Sequence, residues 1–402
     1  MGSLPERVIL HVDLDAFFAA AETLAAPALK GKALVVGGRP GERGVVASAS
    51  YEAREHGVRS GMSLVEAHRL CPHAVFLPCH PPRYFDLSTR FLRLLLDYTP
   101  MVEMASIDEA FLDASGLVEE VRQGALLAAS IRSEVLCRLS LSCSVGVGEN
   151  KLLAKTASSL GKPAGIALLD REAFLRRFGD QSVSSIYGIG AATRRKLEAM
   201  GIVTVDDLSD APESLLHRMF GVIGPALKAA ARGEDRSPLV PYHQRPRAKS
   251  IGHEYTLPRD SRDPSVLRAV LLGLCEKVSG DLRAVSLMSR EVRLKVRMCD
   301  WTLIGRQSRL ARTASSTRAL FQSAWGLYSR EVPPRPVRMV GVSAASLSDA
   351  RGAPFMEDLF EARGDGVLDS AIDRIRDSFG GSAIRRASLI GSTTSGKGRS
   401  ER

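Results

Sequence analysis

Two acidic motifs limit what this chain can become. They are His11-Val12-Asp13-Leu14-Asp15-Ala16-Phe17-Phe18 and, about ninety residues later, Ala105-Ser106-Ile107-Asp108-Glu109-Ala110-Phe111-Leu112-Asp113. Each sets carboxylates at the end of a brief apolar run, the pattern of a strand delivering an anion to a site. A fold that brings them together must place cations between them, because like charges sharing a site repel. Carboxylate and carbonyl oxygens are hard ligands that select magnesium-like ions. Two such ions can clamp the attacking and leaving oxygens of a phosphoryl transfer. Asp13, Asp108 and Glu109 are the candidate ligands, with the Leu14 carbonyl beside them. Neighbouring side chains of a regular strand face opposite ways, so Asp108 and Glu109 can serve one site only from a turn or bulge. Asp15 and Asp113 read as a helix cap and a turn residue.

Periodicity supplies the frame. Residues 8–13 alternate and are β-branched, a strand pattern, and Asp15 is placed to cap a helix over 16–24. Strands are expected at 33–36, 45–49 and 74–77, with short helices at 51–55 and 64–70. A helix over 84–98 sets Phe91, Leu94, Leu95 and Tyr98 on one side. Strands at 102–107 and 110–113 meet at Asp108-Glu109. A helix at 117–136, a strand at 141–146 and a helix at 151–160 follow. This order predicts a ferredoxin-like split βαβ sheet with a small domain inserted. Residues 170–235 read as helices, and the Pro/Arg-rich stretch after them as a linker. Strand patterns return over 249–347 around helices near 263–283 and 313–328, a separate α+β domain. Beyond 348 the chain is Gly/Ser-rich, with one helix at 367–379 that can pack back on the protein.

Charge separates the regions. The chain carries a net +10, yet residues 236–350 hold 20 Lys+Arg against 9 Asp+Glu, leaving 35 against 36 elsewhere. A localised excess points to a nucleic-acid-binding module. Within it Val292, Leu294, Val296 and Met298 alternate with Arg293, Lys295 and Arg297. One strand face is core and the other a row of cations spaced to follow phosphates. Arg245, Arg247 and Lys249 extend that path. Ile186-Tyr187-Gly188-Ile189-Gly190, followed by a basic run, reads as a helix-hairpin-helix turn. Gly188 and Gly190 let backbone N–H groups approach a phosphate without reading bases. Tyr51 and Arg54 share a helix face. The six cysteines form no Cys-x-x-Cys pair and read as reduced thiols, and no apolar run is long enough for a membrane span. A cytoplasmic monomer is expected. His68, Cys71, His73, Cys79 and His80 fit no standard zinc spacing, so no metal is expected there.

Several motifs together resemble a Y-family translesion DNA polymerase of the DinB (DNA polymerase IV) branch. They are Val12-Asp13-Leu14-Asp15-Ala16-Phe17-Phe18, Ser48-Ala49-Ser50-Tyr51-Glu52-Ala53-Arg54 and Ser106-Ile107-Asp108-Glu109-Ala110. Lys162-Pro163-Ala164-Gly165, Gly188-Ile189-Gly190 and Lys249-Ser250-Ile251-Gly252 add to them. The resemblance covers about residues 6–345. It implies an α+β multidomain right-hand polymerase with a ferredoxin-like palm (1–27 and 82–169), small fingers (28–81) and a helix-hairpin-helix thumb (170–235). A linker (236–248), an α+β little finger (249–347) and a tail (348–402) complete the expected division.

Carried to matching positions, the resemblance implies two Mg²⁺ ions on Asp13, Leu14, Asp108 and Glu109. Phe18 becomes a steric gate against the ribose 2′-hydroxyl, supported by Phe17. Tyr51, Arg54 and Lys162 grip the triphosphate, and small residues at Ala47 and Ser48 leave the nucleotide site roomy. Partners are primer-template DNA and dNTPs. In the tail, Phe355-Met356-Glu357-Asp358-Leu359-Phe360 resembles a sliding-clamp-binding peptide in which Met356 replaces the usual glutamine. Leu359 and Phe360 would be its anchors. The competing readings are a non-catalytic DNA-binding accessory protein on the same scaffold and a nucleotide cyclase with a similar two-metal palm.

Overall fold

The structure is a computed structural model that describes residues 7–118, 121–350, 363–381 and 383–389. It divides into two compact units, Met1–Arg245 and Pro246–Arg402.

The first unit opens with β1 (Ile9–Leu14) and α1 (Phe17–Ala25). A small module follows: β2 (Leu34–Val36), β3 (Ser48–Ala49), α2 (Tyr51–Glu55), α3 (Leu64–Leu70) and β4 (Val75–Leu77). Next come α4 (Pro81–Leu96), β5 (Val102–Met104), β6 (Glu109–Asp113), α5 (Val121–Leu139), β7 (Cys143–Gly148), α6 (Lys151–Leu160) and β8 (Ile166–Leu168). The main sheet runs β5-β6-β1-β7-β8. Counting only β1, β5, β6 and β7, the order is 2-3-1-4, the arrangement of a split βαβ fold. The module has its own sheet, β3-β2-β4, and its own core around Val35, Val46, Ala53, Leu64 and Cys71.

β1 is central and shielded on both faces, which is why its sequence is apolar nearly throughout. Leu10, Val12 and Leu14 face the core shared with α4 and α5. Ile9, His11 and Asp13 face the other way, where Ile9 packs with Phe111, Ala154 and Leu239. α6 covers that second face at very short range. A Cβ on Gly146 would lie 2.0 Å from the Ala154 carbonyl oxygen and 2.2 Å from the Ser158 nitrogen. The glycine is what allows α6 to sit on the sheet.

Helices α7 (Arg171–Phe178), α8 (Ala191–Glu198), α9 (Val205–Asp210), α10 (Glu213–Phe220) and α11 (Ile223–Ala231) close the unit around Phe174, Leu197, Leu208 and Leu216. Each fully buried Leu or Phe contributes on the order of 1.5–3 kcal/mol. The stretch expected as a linker is fixed to this unit over its first residues. Leu239 is buried, the Val240 N–H donates to Glu103, and the Pro238 carbonyl accepts from Lys151.

The second unit is an antiparallel sheet in the order β11-β10-β12-β9. It is built from β9 (Ser250–Ser261), α12 (Pro264–Ala284), β10 (Leu287–Met298), β11 (Leu303–Ala314), α13 (Thr317–Glu331), β12 (Val337–Asp349) and α14 (Arg363–Phe379). α12 and α13 cover one sheet face and bury Val292, Leu294, Val296 and Met298. The helix expected to pack back does so through ion pairs. Arg283 forks onto Asp373 at 2.6 and 2.9 Å and reaches Asp369 at 3.4 Å. Arg386 bridges Glu276 and Asp369, and Asp369 also accepts the Thr317 N–H at 2.8 Å.

Several boundaries move. The strand expected at 45–49 shortens to β3, because Val45 is spent on an isolated bridge to Ser63. The helix expected at 117–136 and the strand expected at 141–146 each shift toward the C-terminus, since β7 pairs with β1 as far as Gly148 opposite Ile9. The helix expected from 313 starts at Thr317, where Ser316 caps it. Asp15 does not cap α1. Ala16, with φ 44°, holds that position without a side-chain bond, and Asp15 is used elsewhere.

The Gly146 contact gives a direct test. Gly146→Ala forces α6 off the sheet and should lower stability by about 1–3 kcal/mol or more, read by urea unfolding.

Candidate active site

Register assembles the site. Asp13 of β1 lies opposite Glu109 of β6, so both project from one sheet face. Asp108 sits in the bend before β6, outside strand alternation, and its carbonyl accepts the Leu14 N–H at 2.9 Å. The three carboxylate residues therefore meet at the ends of two paired strands, and the required break in alternation falls at Asp108. Ser106 donates a short hydrogen bond to the Asp108 carboxylate and accepts from its N–H.

Each inner carboxylate is matched by a lysine. Lys162 reaches Asp13 at 2.6 Å, and Lys155 of α6 pairs with Glu109. The two acids respond differently. Burial pushes the Asp13 carboxyl above its usual range, with the Lys162 charge opposing. Glu109 falls to about 2, first through its hydrogen bond with His11 and then, against burial, through Lys155. His11 is fully buried, which lowers its pKa. It is held at 2.7 Å by Ser158, lies 3.5 Å from Glu109, and packs on Phe111. The donor set is all oxygen and anionic, and it suits hard divalent cations. Burial without enough positive charge is the condition such a cation relieves.

Asp15 is a junction. It is 2% exposed and accepts from Tyr51 Oη at 3.2 Å, Ser144 Oγ at 2.8 Å and the Ala164 N–H at 2.9 Å. One carboxylate thus joins β1 to α2, to β7 and to the loop carrying Lys162. Arg54 stacks over Tyr51 at 4.8 Å, as their shared helix face implies, and donates to the Ala49 carbonyl. Ser48 is buried and Ala47 half-buried beside them.

The two phenylalanines separate. Phe17 is 2% exposed and belongs to the core. Phe18 is half-buried and stacks on Tyr84, with centroids 4.3 Å apart and planes 14° apart. Tyr84 is held from behind by a 2.7 Å bond to Glu22, which is 4% exposed and also binds His80 and Arg83.

Farther out, Gly188 has φ 97° and Gly190 precedes α8 without a side-chain cap, and a Cβ at either would meet nothing within 4 Å. Tyr187 lies under Lys155 at 4.7 Å. In the second unit the expected cation row is present but tempered by acids. Arg293 pairs with Glu291 and Lys295 with Glu254, each at 2.6 Å, while Arg297 stacks on Trp301. Arg247 pairs with Asp349 at 3.2 Å, and Lys249 is exposed. Leu359 and Phe360 lie outside the described residues.

Sequence reasoning missed His11, Lys155, Ser158, Glu22 and Tyr84. A period of two put His11 on the Asp13 face. Nothing local pointed to Glu22, whose partners come 58 to 62 residues later.

The impB/mucB/samB family model matches residues 12–159, and the model of that family's C-terminal domain matches 248–354. A DNA polymerase IV of Pelotomaculum thermopropionicum is 37% identical over 382 residues, covering 94% of each chain. One from Moorella thermoacetica is 37% identical, over 95% of this chain and 96% of its own. A solved Y-family DNA polymerase chimera matches 84% of this chain and 98% of its own, with TM-score 0.74 and 29% identity. DinB from Sulfolobus solfataricus matches over the same shares, with TM-score 0.56 and 28% identity. The chain belongs to the Y-family DNA polymerases, in the DinB branch. The polymerase thus has the right-hand α+β architecture that its motifs implied. Among the described residues no helix is long and apolar enough to cross a membrane.

Glu109 links this site to pH. Its folded pKa of about 2 lies below the 4.5 of a free glutamate. The stability it contributes is fully present above about pH 4.5 and drains away as pH falls toward 2. In metal-free buffer the stability difference between the wild type and Glu109→Gln should therefore shrink steadily over that window in acid-unfolding titrations.

Proposed function

We propose that this polymerase adds dNTPs to a primer 3′-hydroxyl opposite a template, with Asp13, Asp108, Glu109 and the Leu14 carbonyl holding two Mg²⁺ ions. The observation that carries the reading is the Asp13–Glu109 register with Asp108 at the adjoining bend, which groups three hard anionic ligands. Bound there, Mg²⁺ supplies the positive charge that activates a hydroxyl and stabilises a pyrophosphate leaving group.

The chain's own residues do the rest. Lys162, now on Asp13, is the cation placed to meet the triphosphate, with Tyr51 and Arg54 on the facing helix. Arg suits bidentate phosphate contacts. Phe18, fixed flat against Tyr84, presents a ring where a ribose 2′-hydroxyl would need space. Ala47 and Ser48 put little bulk beside the nascent base pair, which supports tolerance of damaged templates and low fidelity. Proofreading is not part of the proposal.

For DNA, Gly188 and Gly190 present backbone at the start of α8. Arg293, Lys295, Arg297, Arg247 and Lys249 track the phosphates. The domain limits proposed are palm 1–27 and 82–169, fingers 28–81, thumb 170–235 and little finger 249–347. A sliding clamp bound through Leu359 and Phe360 rests on the sequence pattern.

Primer extension with Mg²⁺ and single dNTPs tests the centre. Asp108→Ala should lose at least about 10³-fold in rate. Phe18→Ala should lose at least about tenfold of its discrimination against ribonucleotides. Primer-template binding with no extension by the wild type would favour the accessory-protein reading instead. On DNA, Lys295→Ala and Arg297→Ala should each reduce the slope of log affinity against log salt by about one, uniformly across sequences.

A further inference from the structure

The spacing of histidines and cysteines in the small module gave no zinc pattern, yet folding regroups them. His68 turns its ring edge-on to Phe76, and His80 is taken by Glu22. His56, fifteen residues before Cys71 and absent from the spacing argument, comes in instead. One ligand atom each from His56, Cys71 and His73 lie within 4.8 Å of one another. We propose that these three residues form a site for a borderline-soft divalent cation of the zinc class, separate from the carboxylate centre.

The ligand atoms lie within reach of one shared ion. Tetrahedral zinc with Zn–S near 2.3 Å and Zn–N near 2.0 Å spaces its ligand atoms about 3.5 Å apart. Cys71 Sγ lies 3.5 Å from His73 Nε2 and 3.9 Å from its Nδ1, so a turn of the exposed ring aims one nitrogen at a shared ion. The His56 and His73 rings pack edge to face with centroids 4.8 Å apart. Both histidines are exposed, whereas Cys71 is fully buried. One thiolate and two imidazoles suit zinc or cobalt and are poor ligands for Mg²⁺. The set holds no carboxylate, so it does not duplicate the polymerase centre.

Backbone placement is settled before any ion arrives. His56 and Cys71 are the C-cap residues of α2 and α3, each tied by its N–H to a helix carbonyl. The Ala74 N–H closes the turn through His73 by bonding the Cys71 carbonyl at 3.1 Å. Binding a cation here would release the Cys71 thiol proton. Three protein ligands leave a fourth position for water, the pattern of an exchangeable rather than a sealed site. An ion here would pin the end of α2, the helix bearing Tyr51 and Arg54, to the end of α3.

The test is cobalt titration of the full-length protein in excess Mg²⁺, which keeps Co²⁺ off the carboxylates. The expected result is one Co²⁺ per chain with a thiolate-to-cobalt charge-transfer band in the near ultraviolet, bleached by Zn²⁺. Cys71→Ala should abolish the band. His73→Gln, an exposed change that spares the core, should weaken affinity at least tenfold. Absence of the band at stoichiometric Co²⁺ overturns the proposal. So does a band that survives Cys71→Ala, which would assign it to the exposed Cys79, Cys137 or Cys299.

Discussion

The pairing of Asp13 with Glu109 is the contact on which the rest of the first unit depends. Two carboxylates side by side on a half-buried sheet face are unstable without positive charge. The fold supplies it from one direction, through α6 and the loop that follows it. α6 can reach the sheet only because Gly146 leaves room for its backbone. That close approach in turn brings Lys155 and Ser158 over Glu109 and His11. The position of a helix, the choice of a glycine and the charge state of the site are one problem with one solution.

Asp15 extends the same logic across modules. A helix cap would have satisfied an amide of its own chain segment. Asp15 instead gathers a tyrosine hydroxyl, a serine hydroxyl and an amide from three other segments. The small module is thereby registered to the sheet at the point where Tyr51 and Arg54 emerge. Phe18 is set in the same manner, by a stack on Tyr84 whose far end is anchored on buried Glu22.

Much of this was legible in the sequence. The candidate carboxylates stood out because each ended an apolar run, and the helix expected at 151–160 matches α6 to the residue. The alternation that assigned Val292 to the core and Arg293 to the surface also held. What could not be read were partners separated by long stretches of chain. Asp15 reads as a cap because caps are local, whereas its partners lie 36, 129 and 149 residues away. Glu291, two residues before Arg293 on the same strand face, was legible, but Lys295 looked unopposed because Glu254, on another strand, is adjacent only after β9 and β12 pair. Pattern reads neighbours along the chain, whereas register decides neighbours across it.

The docking of α14 reaches beyond architecture. The family's C-terminal domain model stops at residue 354, before this helix begins. Asp369 nevertheless meets the backbone of α13, Arg283 of α12 and Arg386 after α14. Cutting the gene where the recognisable domain ends would remove the carboxylates that neutralise Arg283 and accept the Thr317 N–H. The inherited boundary and the edge of the ion-paired structure are different objects here.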